Sequence, residues 1–229
     1  LIGTLCHDEG RVRVLGSPAD KNNVAWKKGV GYVGDFTPLY EYWSGTKNLS
    51  TFARFYPTWS MSLANQLAAR LRLDLTKAVK TYSTGQRTKL AIIIALSHSP
   101  KLLLLDEPST GLDPVARDTF NEILFEIMES GEVALAYATH HVGEIERLTD
   151  RLVFIGDGHI IRDEIKEDLT ERWRLITFHS EKTPAEIPQV LQHRSEQSRH
   201  ELISQDADTT IMYLQEKGVE NIESSRISV

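Results

Sequence analysis

The chain has 229 residues, 41% of them hydrophobic and 25% charged, with a formal net charge of −6. Those figures describe an ordinary globular protein with room for one large domain and an appendage, and an acidic chain with no basic stripe argues against a nucleic-acid partner. A single cysteine, Cys6, cannot form an intramolecular disulfide, no apolar run is long enough to span a bilayer, and the eight histidines show neither H-E-x-x-H nor Cys/His metal spacing.

Taken in order, Arg11-Val12-Arg13-Val14-Leu15 alternates polar and apolar before Gly16, Ser17 and Pro18, which predicts a short strand closed by a turn. Val30-Gly31-Tyr32-Val33 predicts a second short strand. Residues 36–81 are richer in aromatic and helical patterns, and residues 60–73 place Met61, Leu63, Leu67, Ala68 and Leu71 near helical spacing. Residues 83–97 predict a helix with Ser83 as N-cap, Leu90, Ile93, Ile94 and Ser97 on one face, and Pro100 beyond its end. Residues 101–105 carry four leucines, the pattern of a strand buried on both faces of a parallel sheet.

Asp113-Pro114 predicts a helix start, with Asp as N-cap and Pro at the first helical position; Phe120, Ile123, Leu124 and Ile127 share its apolar side, and Gly131 ends it. Residues 133–139 predict the next strand, followed by His140 and a helix from about Val142. Residues 151–155 and 159–161 flank Gly156-Asp157-Gly158 as a hairpin. The alternation of strands and helices over residues 100–150 predicts an α/β parallel sheet. From about Asp163 the texture changes: a strand over 173–178, a short helix over 184–192, a solvated loop over 193–200 and a helix over 209–217, together a small α/β appendage.

The strongest chemical signal is Leu102-Leu103-Leu104-Leu105-Asp106-Glu107-Pro108. Ligands of open α/β sheets collect outside the carboxyl ends of the strands, where two adjacent carboxylates can divide two tasks. Asp106 suits a Mg²⁺ ion, held directly or through water, and Glu107 suits polarisation of an attacking water. Equally, such a pair can simply end a strand and cap the turn after it. Ser83 at a helix start, with Gly85 allowing close backbone approach, suits a phosphate oxygen, or plain helix capping. His140, at the end of the next strand, stands where a terminal phosphate is contacted, or serves structure alone.

In order and spacing, these segments resemble the ATP-binding subunits of ABC transporters. Tyr82-Ser83-Thr84-Gly85-Gln86 is similar to the family's signature motif, with Tyr for the usual Leu and Thr for the usual first Gly. Residues 102–107 resemble the Walker B strand and catalytic glutamate. Residues 109–113 resemble the D-loop. Thr139-His140 resembles the switch-histidine motif, with His141 adjacent and Glu144 and Glu146 in the helix usual at that point. Asp35, in Tyr32-Val33-Gly34-Asp35, falls at the usual glutamine of the Q-loop, and Phe55-Tyr56-Pro57-Thr58-Trp59 resembles a bacterial, mainly exporter, subgroup.

The resemblance implies a P-loop NTPase-like α/β core at residues 1–162, a helical subdomain at about 36–85, and an accessory region at 163–229. It implies Mg²⁺-dependent ATP hydrolysis by the intact parent, with Glu107 and His140 catalytic, Asp106 on the metal, and Ser83, Gly85, Gln86, Asp35 and Asp113 at the nucleotide. It further implies transmembrane permease subunits, a second ATPase subunit as partner, and a peripheral place on the cytoplasmic face of the cell membrane. A non-transport ATPase of the same type, or a degenerate non-enzymatic remnant, are the alternatives.

The family's phosphate-binding loop, G-x-x-x-x-G-K-[ST], occurs nowhere in the 229 residues; Gly45-Thr46-Lys47 lacks the earlier Gly and the following helix. The expectation is that residues 1–5 are the tail of the helix such a loop opens, that the first strand and loop lie upstream of Leu1, and that the chain alone is inactive.

Overall fold

The computed structural model describes residues 9–19, 24–34, 38–140, 148–167, 173–180, 186–196 and 198–226. Cys6, Asp35, His141, Glu144, Glu146 and the helix expected from about Val142 lie outside the described residues. The chain divides into two compact units, Leu1–His141 and Val142–Val229.

In the first unit, strands β1 (Arg13–Val14) and β2 (Ser17–Pro18) form a small hairpin. Its Val14 packs with Trp26, Val30 and Leu104. Strands β3 (Val30–Val33), β4 (Leu102–Asp106) and β5 (Ala134–Ala138) form a parallel sheet with β4 in the middle. Val33 pairs with Leu105, and Asp106 with Ala138. Leu103, Leu104 and Leu105 are buried, as a two-sided strand requires.

The helices of this unit start where their capping residues stand, and one of them corrects the expectation that no helix follows Gly45-Thr46-Lys47: that tripeptide opens the first helix because Ser44 caps it. Ser44 caps α1 (Gly45–Phe52), Ser60 caps α2 (Met61–Arg70), Ser83 caps α3 (Thr84–Leu96), and Asp113 caps α4 (Pro114–Glu129), each accepting a backbone N–H of the first turn. Helix α3 departs from the one-faced expectation: every residue from Leu90 to Ser97 is buried. It packs on both β3 and α2, so a single apolar stripe would leave one of those contacts polar. Among the described residues no helix is long and apolar enough to cross a membrane.

The second unit contains a hairpin of β6 (Arg151–Gly156) and β7 (His159–Ile165), turned by Asp157 and Gly158, both at positive φ. Arg151 grips Asp163 across it with two hydrogen bonds, at 2.5 and 2.6 Å. Strands β8 (Arg174–His179), β9 (Val190–Glu196), β10 (Arg199–Ser204) and β11 (Glu223–Arg226) form an antiparallel sheet in the order β11-β8-β10-β9. Helix α5 (Ala207–Glu216), capped by Asp206, contributes Leu214 to a core with Ile176, Phe178, Leu202 and Val219.

Two expectations fail in this unit. Residues 190–192 belong to β9 rather than to a helix: Pro188 and Gln189 form a turn, Gln189 sits at φ +62°, and Val190 packs on the core beside its ladder with β10. Residues 193–200 are not a solvated loop but the closing end of the β9–β10 hairpin. His200 is buried there, its ring stacked on Phe178.

Candidate functional site

The carboxyl edge of the parallel sheet gathers the first group of expected residues. Asp106 ends β4 and is exposed. Glu107 is next, at φ +46°, a left-handed conformation that costs a non-glycine residue about 1–3 kcal/mol. Its N–H donates to the Ala138 carbonyl at 2.9 Å, which extends the β4–β5 pairing by one residue, and the Thr110 N–H donates to its carbonyl at 3.1 Å.

This turn brings the Glu107 side chain to residues just beyond β5. Glu107 Oε1 accepts from the His140 backbone N–H at 2.8 Å and lies 2.6 Å from His140 Nδ1; Oε2 accepts from Thr139 Oγ1 at 3.3 Å. An ionised carboxylate only accepts, so Nδ1 carries the ring proton. Burial pushes the Glu107 carboxyl upward, but the hydrogen bonds and charge of His140, with the Thr139 hydroxyl, outweigh it and hold the group below the usual carboxylate range. Glu107 is 25% exposed at its side chain and His140 70%, so the pair is fixed yet open.

The second group surrounds the starts of α3 and α4. Ser83 Oγ accepts from the Gln86 N–H at 3.2 Å, and Gln86 Oε1 accepts from the Ser83 N–H at 3.0 Å, a reciprocal capping box. The capping reading of Ser83 is therefore realised, and Gln86 is engaged in the same cap. Gly85 is buried rather than open: a Cβ there would stand 2.2 Å from the Gly111 carbonyl oxygen. Its lack of a side chain serves close packing against the 109–113 turn. Asp113 Oδ1 accepts from the Ala116 N–H at 2.9 Å while Oδ2 lies 3.4 Å from Lys89 Nζ. The Ala116 N–H, with help from Lys89, holds the Asp113 carboxyl below its ordinary value.

A cavity of about 370 Å³ is lined by Gly34, Pro38, Glu41, Thr84, Arg87, Asp106, Glu107 and Thr110 among others; Ser83, Gly85, Gln86, Asp113 and His140 are not among the residues that line it. Asp106 presents hard oxygen atoms to it, the donor type Mg²⁺ takes, although among the described residues no three His, Cys, Asp or Glu are placed to hold a metal ion by themselves. Sequence reasoning missed Glu41, Arg87, Thr88 and Lys89. The last three come directly after Gln86; Arg87 and Thr88 line the cavity, and no pattern in the sequence marks them.

The ABC transporter family profile matches residues 1–110. The chain is 34% identical over 162 residues to the uncharacterized ABC transporter ATP-binding protein YdbJ of Bacillus subtilis, covering 70% of this chain and 53% of that protein. It is 31% identical to Nod factor export ATP-binding protein I of Rhizobium etli, over 75% of this chain and 55% of that one. It is also 31% identical to the linearmycin resistance ATP-binding protein LnrL of Bacillus subtilis, over 75% and 57%. The chain thus spans little more than half the length of these relatives. Among solved structures, an ATP-binding subunit of an ABC transporter superposes with a TM-score of 0.65 at 23% identity, covering 74% of this chain and 72% of that one. A dimeric ATP-binding cassette in a post-hydrolysis state bound to ADP and Pi superposes at 0.62 and 20% identity, covering 69% and 74%. The structural likeness establishes the fold of an ABC-type ATP-binding domain, and residues 1–110 match the ABC transporter family, whose name the relatives bear.

Proposed function

We propose that this chain is part of a subunit that binds and hydrolyses ATP to power an ABC transporter of the exporter type, with residues 1–162 as its ATP-binding region and 163–229 as an accessory region. The observation that carries this is the Glu107 carboxylate, held ionised by His140 and Thr139 beside the exposed Asp106. A carboxylate so placed can orient and deprotonate a water, and Asp106 would hold Mg²⁺, with phosphate and water oxygens completing its shell. The ion supplies charge neutralisation at the phosphates. His140 keeps Glu107 in place through Nδ1 and directs the rest of its ring toward the terminal phosphate.

In this reading Ser83, Gly85 and Gln86 present the start of α3 to a nucleotide held by a second ATPase subunit, Asp113 couples the two sites, and Asp35 approaches the metal or its water. Permease subunits receive the motion at the cytoplasmic face of the membrane. Support for export comes from relatives named for Nod factor export and linearmycin resistance.

No G-x-x-x-x-G-K-[ST] loop occurs in these 229 residues, so the isolated chain should bind ATP weakly, which also favours a non-enzymatic module as the second reading. Calorimetry on the chain tests the weak binding, and tight binding overturns it. Steady-state hydrolysis by a subunit joined to such a loop tests the first reading: turnover that Glu107→Gln leaves unchanged would falsify the assignment of Glu107.

A further inference from the structure

Three consecutive residues near the start of α3 fasten that helix to different neighbours. Arg87 Nη1 lies 2.9 Å from Glu41 Oε1, on one wall of the cavity. Thr88 Oγ1 shares its one proton between the Thr84 carbonyl of its own helix at 3.1 Å and the Thr110 carbonyl at 3.3 Å, and Lys89 Nζ lies 3.4 Å from Asp113 Oδ2. The helix beyond them is anchored by burial, whereas Thr84 is exposed and Arg87, Thr88 and Lys89 are half-buried. The first turns are therefore held by these ties and by the capping box.

There is little slack between α3 and the 109–113 turn, because Gly85 approaches the Gly111 carbonyl as closely as a glycine can. The turn in turn holds Glu107, through the Thr110 N–H on its carbonyl, at a backbone angle the residue does not favour. Glu41 is fixed at the opposite end, its carbonyl accepting the Lys80 N–H at 2.7 Å.

We propose that Arg87 is a positioning residue: by pairing with Glu41 it sets the first turns of α3, and through Gly85 and Thr88 it sets the turn that aims Glu107. The consequence for turnover rests on the hydrolysis reading above, but the linkage does not require nucleotide. Amide hydrogen exchange on the 229-residue chain tests it. An exposed ion pair is worth a small free energy, so Arg87→Gln should speed exchange at the Thr110 and Leu112 amides by about 1.5- to 5-fold. Core amides of Ile176 and Leu202 should not change, and the double reversal Arg87→Glu with Glu41→Arg should restore the wild-type rates. Unchanged Thr110 and Leu112 exchange in the single variant, an equal rise at every amide, or no restoration by the reversal each overturns the proposal. In a subunit bearing the phosphate loop, Arg87→Gln should lower kcat and leave KM unaltered. If the wild-type subunit hydrolyses no ATP, the function falls while the exchange result stands or falls independently.

Discussion

The two sheets of this chain treat their polar residues differently. In the parallel sheet of the first unit, Asp106, Glu107 and His140 gather beyond the strand ends with their side chains at least partly exposed. In the antiparallel sheet of the second unit and the helix beside it, the buried polar residues His200, Ser204 and Thr210 bond within the unit. His200 Nδ1 lies 3.0 Å from His193 Nε2 and its Nε2 lies 3.1 Å from the Ser180 carbonyl. Ser204 and Thr210 bond each other at 2.7 Å, and Thr210 donates to the Pro188 carbonyl at 2.9 Å. Buried polar groups that satisfy one another specify a fold. Polar groups that converge on an open edge can meet a ligand, and in the first unit Asp106 and Glu107 line a cavity.

The largest expected effect would break this contrast at its centre. General-base assistance contributes about 10²–10⁴-fold, so Glu107→Gln in a loop-bearing subunit should lower ATP turnover by that order and leave ATP affinity unchanged. Loss of affinity in parallel with turnover would assign Glu107 to binding instead. In the second sheet the corresponding change is one of stability: Phe178→Ala removes a fully buried ring that also stacks on His200 and should destabilise by about 3–5 kcal/mol in urea titrations. A loss under about 1 kcal/mol would mean that the core closes over the gap. Next in size is Gly85→Ala, whose methyl group would meet the Gly111 carbonyl oxygen. Overpacking of this kind costs about 1–3 kcal/mol, and a neutral outcome would show that the 109–113 turn can retreat.

Local signals explain which parts are legible in the sequence. Ser83 and Asp113 are readable as caps because a cap acts over three residues, and β4 is readable because four leucines in a row admit few other fates. The Glu107–His140 pair spans 33 residues of sequence and depends on one left-handed backbone angle, which no pattern announces. The resemblance supplies both residues but not their contact. Residues 184–200 mislead for a similar reason: β9 exists because β10 pairs with it, and that non-local ladder overrides a weak helical pattern. The ties made by Arg87, Thr88 and Lys89 are hidden because their partners lie between 22 and 46 residues away.

Each unit also holds a histidine whose neutral form is favoured, His98 buried and His193 exposed, and the pH dependence of stability sets them side by side. His98 is 1% exposed at the end of α3, stacked on Tyr56 with ring centroids 4.0 Å apart. Its Nδ1 lies 3.3 Å from the Ile94 carbonyl and its Nε2 lies 3.2 Å from the Val30 carbonyl. A protonated ring would donate to both, but burial outweighs those two bonds and lowers the pKa. Burial, then the neighbouring His200, also lowers that of His193. The unfolded chain therefore takes up protons more readily below about pH 6.5 than the folded rings do, so stability falls as pH drops through that window. The slope is at most about 1.4 kcal/mol per pH unit for the buried His98 ring, and solvent screening makes it smaller for the exposed His193. Glu107 acts in a lower window: its depressed value adds stability above the ordinary carboxylate range, and that contribution disappears as pH falls through the folded value. Urea titrations between about pH 7.5 and about pH 5 should show the acid-side decline in the wild type. His98→Gln should flatten most of it, because His98 is the more deeply buried ring, and His193→Gln should flatten less. Equal slopes in His98→Gln and the wild type would mean that the His98 ring protonates in place and that its two carbonyl partners, rather than burial, govern its charge.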